Sequence, residues 1–79
     1  MAKQDRELIA LGRAIRQLRA ERNISAGELA AAAGLTSRRL DALEAGRFDP
    51  RYDVLLALAR GLSVKPAELV KRTDAEAKT

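Results

Sequence analysis

The 79-residue chain contains no cysteine and no histidine. The first absence excludes disulfides, thiolate nucleophiles and cysteine-based zinc sites. The second removes the commonest general base and metal ligand. Aromatic residues are scarce too, with Phe48 and Tyr52 the only two. Proteins that bind RNA or single strands normally stack bases on aromatic rings, so that use is disfavoured. No apolar run approaches the length that spans a membrane, and Met1 to Arg6 lacks the basic-then-apolar order of a signal peptide. A cytoplasmic protein is therefore expected. No glycine loop of the phosphate-cradling kind is present, so an enzyme is disfavoured and no cofactor or metal is expected.

What is present favours helices. Twelve Leu, three Ile and three Val accompany many Ala, Arg and Glu, and no segment alternates with period two. The expectation is an all-α domain with one small core. A chain of this size buries only about 60% of the surface its unfolded form exposes, so its stability is modest unless a partner subunit adds to it. Fifteen basic residues, eleven of them Arg, stand against eleven acidic ones for a net charge of +4. That balance permits a nucleic-acid partner without establishing one.

Five helices are predicted, with no repeat, low-complexity segment or linker. The first spans about Asp5 to Arg22, with Leu8, Leu11, Ile15 and Leu18 as its apolar stripe and Asn23 at its end. Ser25 caps the second, with Glu28 completing a capping box and Ile24 and Leu29 a hydrophobic staple. Thr36 caps the third, which Gly46 ends. The fourth covers about Arg51 to Arg60 with Gly61 at its end, and carries Val54, Leu55 and Leu58 inward. Pro66 opens the fifth, whose final turn holds Lys71 and Arg72. Residues 1–72 are thus read as a single domain and residues 73–79 as a flexible polar tail.

Residues 25–46, SAGELAAAAGLTSRRLDALEAG, carry the functional signal. Leu29, Ala30 and Ala33 face inward, Gly34 supplies a residue that tolerates φ > 0, and Leu40 and Leu43 return the next helix to the same core. On a helical wheel Leu40 and Leu43 define the inner side of the third helix, while Ser37, Arg38, Asp41 and Ala42 point outward together. Arg38 suits bidentate bonding to guanine O6 and N7, the commonest specific contact in the major groove. Ser37 can reach a base edge or a phosphate. Asp41 can accept from cytosine N4 or hold Arg38 in place, and Ala42 can meet a thymine methyl or leave room. Arg39 stands on one flank, where either a phosphate or an intramolecular pair would use it. Ordinary solvated surface charge is the alternative for both arginines. Backbone anchoring falls to Arg47 and Arg51 after the third helix and to Ser25 with its neighbouring amides, including that of Ala26, before the second.

Arg19 lies within about 20° of Leu8 on the first helix, inside its apolar stripe. A charge there requires a partner or a path to solvent, and Glu44, on the inward flank of the third helix, is the candidate partner.

Three segments, LGRAIRQLRAERNIS, ELAAAAGLTSRRLDALEAG and DPRYDVLLALARGLSVKPAELV, make Leu11 to Val70 resemble the helix-turn-helix domain of the phage Cro and cI repressors, the XRE family. The resemblance implies a compact five-helix, lambda-repressor-like bundle whose third helix enters the major groove of double-stranded DNA, usually as a homodimer on a near-palindromic operator. It also implies that Arg19 and Glu44 form the family's interior ion pair. Many members carry glutamine just after the cap of the second helix; this chain has Ala26. Ala42 stands where relatives often present a polar base reader. A sequence-specific transcriptional regulator, most simply a repressor, is the leading expectation. The alternative is a protein-interaction module such as an antitoxin that neutralises a toxin and represses its own operon. Leu62, Val64 and Val70 are candidates for a dimer surface or for the core.

Overall fold

Four successive helices end in the same way. In the computed structural model, which describes residues 2–78 with side chains from Arg6 onward, α1 (Ala2–Arg22), α2 (Ala26–Ala33), α3 (Ser37–Glu44) and α4 (Tyr52–Gly61) are followed by α5 (Pro66–Ala77). Beyond each of the first four lies one residue of positive φ: Asn23, Gly34, Gly46 and Ser63. The amide after it donates back five residues, from Ile24 to Arg19, Leu35 to Ala30, Arg47 to Ala42 and Val64 to Ala59, at 2.8–2.9 Å. This left-handed stop satisfies carbonyls that a helix end otherwise leaves open. Short sharp turns follow, and no strand occurs among the described residues.

The helix starts are equally local. Ser25 Oγ accepts from the Glu28 amide while the Glu28 carboxylate accepts from the Ser25 amide, a complete capping box. Thr36 Oγ1 accepts from the Arg39 amide at 3.1 Å. Pro66 occupies the first turn of α5, where its missing N–H costs nothing.

One core joins the helices. Ile15, Leu18, Leu29, Leu40, Leu43, Leu58 and Leu62 are fully enclosed. The long α1 packs along α5 on one side and against α3 on another, and α2 packs on α3 and α4. Ala10 and Ala14, which the apolar stripe did not include, are also buried. No buried side-chain polar atom among the described residues lacks a hydrogen-bond partner.

Three boundaries differ from the sequence reading. α1 begins at Ala2 rather than Asp5. Gly61 is not the left-handed terminator of α4, since Ser63 takes that role; Gly61 is small because a Cβ there would lie 2.9 Å from Leu29 Cδ1 and 3.1 Å from Ala32 Cβ. The polar tail expected from Thr73 is helical as far as Ala77, so Lys71 and Arg72 sit mid-helix. Tertiary contacts hold that last turn and a half: Gln17 Nε2 donates to Glu76 Oε2 at 2.7 Å, and Arg72 Nη2 to Glu21 Oε1 at 2.6 Å. Thr79, the last residue of that predicted tail, and Met1 lie outside the described residues. No described helix is long and apolar enough to cross a membrane.

Candidate nucleic-acid interface

The α2–turn–α3 unit is fixed from both sides. Gly34, at φ 71°, turns the chain while its amide still bonds to α2 carbonyls, and Leu35 packs against the core. Leu40 and Leu43 then anchor the inner face of α3. The far end of α3 is held by α1. A Cβ on Gly12 would collide with the backbone carbonyl of Glu44, so α1 and the last turn of α3 touch backbone to backbone. The sequence pattern did not single out Gly12, because a glycine at such a crossing has no local signature distinguishing it from a surface residue.

Arg19 completes this anchoring. Its Nε donates to Glu44 Oε2 at 2.8 Å, Nη2 to Glu44 Oε1 at 3.1 Å and Nη1 to the Ile24 carbonyl at 3.2 Å. One guanidinium thereby ties α1, the last turn of α3 and the α1–α2 turn together. Glu44 is only 7% exposed, and its hydrogen bond to Arg19, reinforced by attraction between the two charges, raises the arginine's pKa further against the opposing effect of burial. The Asp41 carboxylate acts in the same sense from further away.

With its inner face so held, α3 turns Ser37, Arg38, Arg39 and Asp41 to solvent, and Ala42 is half-buried. Arg38 has no hydrogen-bond or ion-pair partner among the described residues, and Asp41 does not pair with it. Its five N–H donors therefore face solvent in their planar fork. Arg39 has an intramolecular partner, but a ring and not a carboxylate: its Cζ lies 4.5 Å from the centroid of Phe48, in the loop after α3.

Flanking residues divide into two groups. Arg47 is exposed just beyond α3, with its amide committed to the Ala42 carbonyl and its guanidinium free of ion pairs among the described residues. Arg51 is the residue before α4; its Nε stands 3.8 Å from Asp53 Oδ1, a loose and highly exposed pair of little energetic weight. At the start of α2 the arrangement is tighter than the sequence suggested. The Ser25 oxygen and amide are both engaged in the capping box, and Ala26 packs partly against the core. The amides of Ala26 and Gly27 remain directed outward from the first turn, and a Cβ on Gly27 would meet only Ser25 Oγ, at 4.0 Å. The Glu28 carboxylate sits beside them, a negative charge next to amides that suit an anion. Among the described residues no cluster of acidic side chains is arranged to hold a metal.

An arginine-bearing helix propped by a tight turn, with further arginines and open amides on either side, defines a DNA-binding helix-turn-helix protein. Comparison with known proteins agrees. A family model described as "Helix-turn-helix domain" matches residues 10–71. An uncharacterized HTH-type transcriptional regulator, y4dJ, of Sinorhizobium fredii is 38% identical over 58 residues, 73% of this chain and 75% of that protein. Among solved structures, the clp gene regulator ClgR of Corynebacterium glutamicum superimposes with a TM-score of 0.87 at 26% identity, over 91% of this chain and 77% of that one. The restriction-modification controller protein C.AhdI of Aeromonas hydrophila gives 0.75 at 31% identity, over 78% and 94%. The chain belongs to the XRE-type helix-turn-helix family of DNA-binding transcriptional regulators.

Proposed function

We propose that the protein is a repressor that binds a near-palindromic operator as a homodimer in the cytoplasm, each copy laying α3 in the major groove. The observation that carries this reading is the Arg38 guanidinium, unpartnered among the described residues, on the outward face of a helix whose inner face is locked. Arg38 reads a guanine, with Ser37, Asp41 and Ala42 beside it shaping the fit to neighbouring base edges. Arg39, Arg47 and Arg51 meet phosphates on one side of α3, and the first amides of α2, at Ala26 and Gly27, meet them on the other, the Ser25 amide and hydroxyl being taken up by the capping box. Repression follows from occupancy of promoter DNA.

One copy offers one α3, so a palindromic site of two half-sites about 34–36 Å apart calls for two. Of the three residues considered for a dimer surface, Leu62 is fully enclosed and Val64 packs against the core, while Val70 is 65% exposed. Val70 borders an open apolar cleft of about 350 Å³ between α1, α4 and α5, with Leu8, Leu55, Leu56 and Tyr52 among its walls. These elements leave α3 free, so a second copy seated there and a duplex can be bound together. Selection of bound fragments from a random duplex pool tests the proposal: it predicts an enriched motif with inverted symmetry, and a pool without enrichment contradicts it.

A further inference from the structure

The role proposed for α3 leaves Phe48 unexplained. In three of the four left-handed helix stops, the residue whose amide closes the turn is apolar and packs against the core: Ile24, Leu35 and Val64. After α3 that place is taken by Arg47, which is exposed, and packing passes to Phe48 one position later. The ring is half-buried, so one part rests on the core while its face lies under Arg39. A carboxylate partner would neutralise Arg39 and occupy its donors. A ring face holds the guanidinium in place and leaves both the charge and the in-plane N–H groups available.

We propose that Phe48 is a positioning residue for DNA binding: it presets the Arg39 guanidinium for a backbone phosphate beside the groove that α3 enters. This rests on the reading of α3 given above. Presetting a long side chain lowers the ordering cost of the contact it makes on binding. Because the contact is to phosphate, it adds affinity without sequence preference.

Two substitutions separate the ring's electrostatic face from its bulk. Phe48→Leu keeps an apolar side chain against the core but removes the π face, and Phe48→Tyr keeps the face. Affinities are measured on a duplex selected by the wild-type protein and on a scrambled one, with thermal unfolding recorded for each variant. Phe48→Leu weakens binding to both duplexes by about two- to five-fold, and Phe48→Tyr binds as wild type. In an Arg39→Ala background, Phe48→Leu causes no further loss. Equal losses from Phe48→Leu with and without Arg39, or a Phe48→Tyr defect matching that of Phe48→Leu, overturn the proposal. So does wild-type affinity in Phe48→Leu. A wild-type protein that selects no duplex at all instead removes the reading of α3 beneath it.

Discussion

Arg19, Arg39 and Arg38 stand in three different surroundings, and those surroundings decide what each guanidinium can do. Arg19 is half-buried against a carboxylate and a carbonyl, and its work is to brace α3. Arg39 lies on a ring, and Arg38 is free among the described residues. Removing one partner of an enclosed pair leaves the other charge uncompensated, so Glu44→Ala is expected to cost about 3 kcal/mol, the low end of the usual range because Arg19 retains some access to water. Urea unfolding checks this, and a loss under about 1 kcal/mol would mean that the pair contributes little to the hold on α3. Gly12→Ala forces a methyl against the Glu44 backbone and is expected to destabilise by about 1–3 kcal/mol. Arg19 was legible in the sequence because a charge in an apolar stripe demands an explanation. Gly12 and Phe48 were not, since their importance comes from what other elements bring to them.

At the level of elements, the turn chemistry was the most readable part. Ser25 with Glu28, Thr36, Asn23, Gly34, Gly46 and Pro66 each sit where a local rule places them, because caps and left-handed stops depend on a few consecutive residues. The last turn and a half of α5 was misread for the opposite reason. Its composition is that of a frayed end, and it is held by Gln17 and Glu21, more than fifty residues earlier. The Glu21 carboxylate is held below its ordinary pKa chiefly by the hydrogen bond from Arg72. A depressed carboxylate stabilises the fold above its ordinary titration range and loses that contribution as pH falls through the depressed value. Glu21→Gln should therefore melt below wild type at neutral pH, with the gap closing as the pH falls below the ordinary carboxylate range and through the depressed value; a gap that persists once the carboxylate is protonated would assign the effect to packing. At the other end of the interface, Glu28→Gln keeps the capping box and removes a negative charge beside the α2 amides. It should tighten DNA binding at low salt, with the advantage shrinking as salt rises. Unchanged affinity at low salt would place the phosphate away from α2.

For the whole molecule, the residues proposed to face DNA lie on α2, α3 and the loop after it, while the exposed apolar surface lies on α1, α4 and α5. This division suits the proposed homodimer, in which a second copy and a duplex would occupy different faces. Val70→Glu places a charge at the mouth of the cleft and should shift sedimentation toward monomer while leaving the melting temperature close to wild type. A variant that remains dimeric would locate the interface elsewhere. The five helices and the exposed Ser37, Arg38 and Asp41 on α3 could be read from spacing, and the family from the resemblance of three segments; Ala42, expected to point outward with them, is half-buried. Which of Leu62, Val64 and Val70 is left exposed for the proposed dimer could not be read in this way, because whether each is covered depends on helices far apart in sequence.

The claim beneath all of this is that Arg38 reads a base from the outer face of α3. The direct measurement is the affinity of wild type and Arg38→Ala for a selected operator and for the same duplex scrambled. The account predicts a loss of about 1–3 kcal/mol on the operator, little change on the scrambled duplex and relaxed preference at one base pair. An equal loss on both duplexes would make Arg38 a phosphate contact, and no loss on either would remove α3 from the groove.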